Sequence, residues 1–522
     1  VTPERIEWAD TPRVFEVLKR LLVGRPLRSS RLGETLLSKR IALAVFCSDP
    51  ISSVAYATEQ IVLVLAAGGL AALRATPWVG LVVVLLLVTV VASYRQTCYA
   101  YPSGGGAYVV SRDNLGENAA LAAAAALLVD YVMTVTVSVT SGVVAVTSAF
   151  PELSTHAVAI AVGLVVVLTV MNLRGTRESG RAFAVPTYAF VGLTLLMFVW
   201  AAARALTGGL PKAETASLPI PPTTGLAGLA LVLLLVRAFA SGCTALTGVE
   251  AISNGVPSFR KPKARNAAAT LTFMGVIAVV LFSGITVLAV ALDARALPDG
   301  DPSVISQIAA AVYGGSSPLY YLFQAATAAI LVLAANTAFN GFPVLGSILA
   351  RDGYLPRQLH NRGDRLAFSN GILLLAGFAT LLIVVFDAQV TRLIQLYIVG
   401  VFVSFVCSQT GMVRHWQRLL RSPAGDDPVA RRRMRRSQAI NFTGAVLTAI
   451  VLTIVLATKF MRGAWIVCVA MPIIYLTMRA IHRHYDRVAQ ELTPEPGPPT
   501  LPARVHAVVL VSKLHAPTLR AL

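Results

Sequence analysis

Four carboxylates stand inside long apolar runs of this chain: Asp49, Glu59, Asp130 and Glu250. An acid at the centre of a membrane helix costs roughly 2.5–3.5 kcal/mol on insertion scales, so such residues are expected to carry chemistry. Glu59 falls near one end of its run, where a solvated helix end explains it equally well. Asp49 and Glu250 belong to interrupted runs, Phe46-Cys47-Ser48-Asp49-Pro50-Ile51-Ser52-Ser53 and Ser241-Gly242-Cys243-Thr244-Ala245-Leu246-Thr247-Gly248-Val249-Glu250. An unbroken membrane helix satisfies its own backbone groups, whereas a broken one needs other partners. In membrane carriers that is the usual setting of a substrate site.

Spacing gathers further polar groups around these acids. Asp130, Thr134 and Ser138 recur every four residues and share one helical face, with Tyr131 beside them. Thr247 and Glu250 share a face just after the second break, and Tyr56 lies two turns beyond Asp49. Carboxylates, hydroxyls and free carbonyls are hard oxygen donors, suited to an alkali cation rather than a soft metal. A half-helix ending near Phe46 presents its negative dipole end, and Pro50 has no N–H to offset it. The first break also lacks glycine, and Asp49 would repel a carboxylate. A small cation fits best, with Asp49, Thr134 and Thr247 as candidate oxygen donors in place of its water shell. An apolar setting favours an uncharged carboxyl, so Glu250 is the candidate proton carrier; Asp130 is suited to a second cation or to sharing the proton.

The elements that must hold these groups are membrane helices. The 522 residues are 56% hydrophobic and 13% charged, with mean hydropathy +0.70. Twelve spans are expected, at about 39–68, 77–97, 117–149, 155–173, 183–206, 225–257, 267–292, 317–349, 367–387, 390–413, 438–458 and 462–481. With both termini on one side, that side collects about 36 of the 44 Lys and Arg. The other side then holds Arg74, Arg204, Lys212, Arg295, Arg392, Lys459 and Arg462, and Arg237 lies inside a span. This bias predicts cytoplasmic termini in a multi-pass cell membrane protein. It also explains the +19 net charge without nucleic acid; the Arg431-Arg432-Arg433-Met434-Arg435-Arg436 run reads as a topology signal touching anionic lipid.

Four segments are expected: a cytoplasmic amphipathic stretch (1–38, with Phe15, Leu18, Leu21 and Leu22), the membrane domain (39–482), a Pro-rich linker (483–503), and the start of a truncated cytosolic α/β domain (504–522), opened by the strand pattern Val505–Val511. The charged start does not read as a cleavable signal peptide. Breaks in the first and sixth spans fit two five-helix repeats, the second inverted, and residues 303–313 suit a short helix capping an outer vestibule. The five cysteines lack metal-ligand spacing, the seven histidines form no cluster, and Gly104-Gly105-Gly106 suits a tight turn better than a phosphate loop. No cofactor is expected. Two other readings stay open: an amino acid or polyamine permease, and an intramembrane aspartyl enzyme using Asp49 and Asp130. The latter lacks a Gly-x-Gly-Asp setting.

Several segments give the chain a family resemblance. They are Tyr101-Pro102-Ser103-Gly104-Gly105-Gly106-Ala107-Tyr108, Gly248-Val249-Glu250, Asn336-Thr337-Ala338-Phe339 and Arg351-Asp352-Gly353-Tyr354-Leu355-Pro356. In these the chain resembles the amino acid–polyamine–organocation superfamily. Within it, Ser48-Asp49-Pro50-Ile51-Ser52-Ser53-Val54-Ala55-Tyr56 resembles the KUP-type potassium transporters, most closely the KimA branch, although Ala-Leu is commoner there than Pro50-Ile51. The resemblance implies an all-α LeuT-like 5+5 fold with discontinuous helices 1 and 6, and proton-coupled potassium uptake. It implies a cation path through Asp49, Tyr56, Asp130, Tyr131, Thr134, Ser138, Thr247 and Glu250, with Tyr397 of Leu396-Tyr397-Ile398-Val399-Gly400 as an aromatic gate. It also implies a homodimer and, in some members, inhibition by a cyclic dinucleotide.

Overall fold

The computed structural model describes residues 36–104, 106–174, 179–218, 228–298, 300–361, 368–423 and 426–493. Residues 1–35 of the N-terminal amphipathic stretch, residues 494–503 of the Pro-rich linker and the 504–522 segment lie outside the described residues. Among those described the architecture is all-helical, and the one extended pairing is a bridge between Leu37 and Phe259. The helices run α1 (Lys39–Phe46), α2 (Ser48–Ala66), α3 (Gly69–Leu73), α4 (Thr76–Ala100), α5 (Ala107–Leu115), α6 (Glu117–Thr147), α7 (Ala157–Leu173), α8 (Ser179–Thr207), α9 (Leu229–Gly242), α10 (Ala251–Asn254), α11 (Lys263–Ala291), α12 (Val304–Tyr313), α13 (Pro318–Arg351), α14 (Ser369–Val385), α15 (Val390–Leu420), α16 (Pro428–Lys459) and α17 (Ala464–Glu491).

Among the described residues ten helices are long and apolar enough to cross a membrane, or eleven when the bent pair α1–α2 counts as one. The remaining expected span, the ninth (367–387), is α14, which has 17 residues. At 1.5 Å per residue it is about 26 Å long, short of a hydrocarbon core about 30 Å thick. Helix α17 runs on to Glu491, past position 482. Helix α16 begins ten residues before the expected 438, because Asp427 caps it: its carboxylate accepts from Val429 N and Ala430 N at 3.2 Å each, with Pro428 in the first turn. The arginine run therefore forms exposed helix rather than loop.

Helix α6 is the centre of the bundle: 83% of its apolar stretch is buried, and it packs chiefly on α13 and α15. By contrast α7, α8, α16 and α17 are 17–28% buried along theirs and form the rim. Trp78, Leu81, Leu85, Val166, Phe273, Val280, Leu373 and Leu381 point outward. An apolar belt of that extent on a protein surface calls for lipid, not water. Two of the sequence's isolated cations depart from a simple loop placement. Arg237 is half-buried in α9. Lys459 is 1% exposed, at the last turn of α16, where the carbonyl end of a helix favours positive charge.

Both interrupted runs are breaks in the structure. The first is tighter than expected: Cys47 alone separates α1 from α2, and the two helices bend by 43°. Pro50 causes it, since a proline four residues after Phe46 can donate nothing to that carbonyl. Asp49 therefore sits in the first turn of α2 rather than within unwound chain. The second break is wider. Helix α9 ends at Gly242, a single 3₁₀ turn spans Cys243–Leu246, Thr247 is extended, and α10 begins only at Ala251.

Candidate functional site

The two breaks face each other, and Gly248 makes the contact possible. It has φ +76°, and a Cβ there would lie 2.4 Å from Asp49 Oδ2 and 2.9 Å from Pro50 Cδ. The turn after the second break thus lies directly on the Asp49 carboxyl. Asp49 is also the acid in the first turn of α2, where it offsets that helix's positive dipole end. No bare helix N-terminus is left there for an anion.

Ser53, one turn beyond Asp49, joins the two breaks. Its Oγ lies 2.8 Å from the Asp49 carbonyl, 2.7 Å from Tyr56 OH and 2.7 Å from Thr247 Oγ1. Thr247 Oγ1 is in turn 2.9 Å from the Thr244 carbonyl. Those four oxygen–oxygen contacts share three hydroxyl protons, from Ser53, Tyr56 and Thr247. One proton must therefore be shared between two acceptors, which leaves oxygen lone pairs under-satisfied. Such a centre attracts a cation.

Helix α6 supplies the facing wall. Thr134 Oγ1 meets Tyr397 OH of α15 at 2.9 Å, and Asn254 Nδ2 at the end of α10 donates to Tyr131 OH at 3.1 Å. The carboxyls of Asp130 and Glu250 adjoin within hydrogen-bond reach. Two carboxyl groups bond each other only when one carries a proton. Asp130 Oδ1 and Glu250 Oε2 have no hydrogen-bond partner among the described residues. Tyr397, fully buried, thus joins α15 to the α6 wall. No described Lys or Arg pairs with Asp49, Asp130 or Glu250.

The structure thus brings together Asp49, Tyr56, Asp130, Tyr131, Thr134, Thr247, Glu250 and Tyr397. Thr134 bonds Tyr397 and makes no hydrogen bond to Asp49 or Thr247 among the described residues. Ser138 is buried on α6, but its Oγ bonds no other described group. Three participants were missed as site residues. Ser53 and Gly248 were visible within the interrupted runs. Asn254 carries no local signal, because its role depends on where α10 meets α6.

Contacts flank this buried cluster on two sides. On one side Glu59 Oε2 accepts from Val304 N at 3.2 Å, at the start of α12, beneath the Ser303 cap. That helix stands where a vestibule cap was expected, and Glu59 is its ligand rather than the cation's. A narrow crevice lined by Tyr56, Glu59, Ser141, Gly300 and Ser303 lies beside that contact. On the other side Phe46 stacks on Phe259 with ring centres 5.8 Å apart. Leu37 pins the same segment, donating to Ser258 O at 2.8 Å and accepting from Arg260 N at 3.1 Å. No group of three His, Cys, Asp or Glu side chains suited to a metal ion forms among the described residues.

Residues 37–478 match the amino acid permease family. Potassium transporter KimA of Bacillus subtilis (strain 168) is 46% identical over 480 residues, 92% of this chain and 76% of that protein. Solved structures of a manganese transporter from Eremococcus coleocola cover 86% of this chain and 95% of theirs, with 14% identity and a TM-score of 0.45. The same transporter bound to an aromatic bis-isothiourea substituted compound gives 0.43. At those scores the structural likeness decides nothing further.

Proposed function

The chain belongs to the amino acid permease family, as a multi-pass membrane transporter and not an enzyme, and from that premise we propose that it takes up potassium with protons by alternating access. The observation that carries this reading is the buried cluster of three carboxyls and several hydroxyls, with no basic partner among the described residues. Three buried carboxylates repel one another strongly in a medium of low dielectric, so the pocket needs a cation, a proton, or both. In this reading Asp49, Thr247 and the Ser53 centre hold the potassium ion, with Thr134 and Tyr397 closing over it. The Asp130–Glu250 pair holds the proton, with Glu250 as carrier.

The finer architecture belongs to the same proposal. Helix α14 serves as a twelfth span, the helices form a LeuT-like 5+5 inverted repeat, and both termini are cytoplasmic. A homodimer, a cyclic dinucleotide regulator and the start of a cytosolic α/β domain complete it. The competing reading is an amino acid or polyamine permease. Asp49 at the first break, with no glycine beside it, disfavours a substrate carboxylate there.

The test is uptake of rubidium, as a potassium tracer, into proteoliposomes under an inward proton gradient. Wild-type protein should accumulate rubidium, and Glu250→Gln should abolish the acceleration by the gradient. Gradient-driven uptake unchanged in Glu250→Gln removes the proton assignment. Uptake of a labelled amino acid but not rubidium reverses the order of the two readings.

A further inference from the structure

A second buried polar seam lies between α4, α15 and α16, and the cation pocket does not use it. Tyr94 of α4 is 1% exposed, as are Ser404 and Ser408, which stand four residues apart on α15. The Tyr94 ring packs on Phe405, which lies between the two serines on α15, and α10, which begins directly after Glu250, packs on α4. Yet Tyr94 OH, Ser404 Oγ and Ser408 Oγ make no direct hydrogen bond among the described residues. Buried hydroxyls are normally paired. Three left unpaired on adjoining helices match the donor and acceptor set of an ordered water, which takes about three polar partners.

The seam continues away from Glu250 toward the arginine-rich ends of the helices. Gln409 follows Ser408, and its Nε2 is also without a partner among the described residues. Gly444 of α16 makes room for this side chain: a Cβ there would lie 2.5 Å from Gln409 Oε1. Thr448 Oγ1 donates to the same oxygen at 3.4 Å. Nearer the helix ends, Ser93 Oγ donates to Asn441 Oδ1 at 2.7 Å, and Asn441 Nδ2 donates to Gln96 Oε1 at 3.2 Å. Gln96 is half-buried, between the interior and the surface. This is a line of hydroxyls and carboxamides with no carboxylate. The Tyr94 ring is held edge-on to Phe405, with centres 5.5 Å apart. An unpaired ion is unfavourable in such a seam, whereas water is at home there.

We propose that Tyr94, Ser404 and Ser408 seat a water that relays protons between Glu250 and the arginine-rich side of the bundle, with Gln409 seating the next one. The inference rests on Glu250 being the proton carrier. Each hop breaks one O–H bond and makes another. Glu250 passes its proton to the seated water, which passes one of its own to the next, so no redox partner is needed. The seam offers no carboxylate to hold potassium, so it governs the proton rate and not cation affinity.

The experiment uses the full chain in proteoliposomes, reading rubidium uptake and proton entry with a pH-sensitive dye. Tyr94→Phe keeps the ring and removes the hydroxyl; a Ser404→Ala, Ser408→Ala double variant removes the other two. Each should lower the maximal proton-coupled rate at least about tenfold, the scale of a positioned proton-transfer group, while rubidium half-saturation stays within about twofold. A wild-type rate in both variants overturns the relay. A matching loss of rubidium affinity also overturns it, since it marks a structural role. Glu250→Gln separates the two ideas: if it uncouples transport while Tyr94→Phe runs normally, the relay alone fails. If it leaves coupling intact, the carrier assignment fails and the relay with it.

Discussion

Alanine at position 248 tests the contact between the two breaks. The backbone there has φ +76°, a region that costs a residue with a Cβ roughly 1–2 kcal/mol. The added methyl would also meet Asp49 Oδ2 at 2.4 Å, Asp49 Cγ at 2.7 Å and Pro50 Cδ at 2.9 Å. Overpacking of this kind typically costs about 1–3 kcal/mol. The backbone of α2 cannot readily give way, because Ser52 and Ser53 both bond the Asp49 carbonyl. Relief must come from swinging the carboxyl out of the pocket, so much of the combined cost of about 2–5 kcal/mol falls on the bound state. The lower figure alone weakens cation binding about 30-fold. Rubidium half-saturation in proteoliposomes and the melting temperature of purified Gly248→Ala measure the two parts. Gly163→Ala is the control: it lies on lipid-facing α7 with nothing within 4 Å of the new Cβ, and should be neutral or up to about 1 kcal/mol more stable. Wild-type half-saturation and melting in Gly248→Ala would refute the proposed contact of Gly248 on Asp49.

Ser53→Ala removes the oxygen shared by Asp49, Tyr56 and Thr247. Leaving buried partners unpaired costs about 1–3 kcal/mol, so rubidium half-saturation should rise about tenfold; an unchanged value means that Ser53 does not organise the pocket. Lys459→Met replaces a buried ammonium that has no hydrogen-bond partner among the described residues. Exchanging a buried charge for an apolar side chain of similar length is neutral or stabilising by about 1–4 kcal/mol. The melting temperature should therefore hold or rise, and a fall of several degrees would mean that the charge is paired in the membrane.

Much of the site was legible because membrane helices restrict what a sequence can hide. An acid in an apolar run is costly wherever it faces, so Asp49, Asp130 and Glu250 declared themselves without any knowledge of the fold. The helical period then placed Tyr131 and Thr134 beside Asp130. Glu59 shows the limit of the same argument. It is as buried as the others, at 5% exposure, yet it binds the start of α12, which belongs to a distant part of the chain. Ser138 keeps the right spacing, but no described partner meets it, because periodicity assigns a face and not a neighbour. Tyr94 with Ser404 and Ser408 left no pattern that stands out from ordinary small and aromatic packing residues.

The sequence by itself determined that the chain is a bundle of membrane helices, that the first and sixth expected spans are interrupted, and that carboxylates stand at both interruptions. Those are local consequences of hydropathy, of a proline that cannot donate and of acids costly in lipid. Only the tertiary structure decided that Gly248 closes onto Asp49, that Ser53 joins the two breaks, and that Asp130 and Glu250 adjoin. Such contacts join residues up to about 200 positions apart. Their geometry follows from how α2, α6, α10 and α15 pack, and packing is a property of side-chain shapes in three dimensions that no local spacing records.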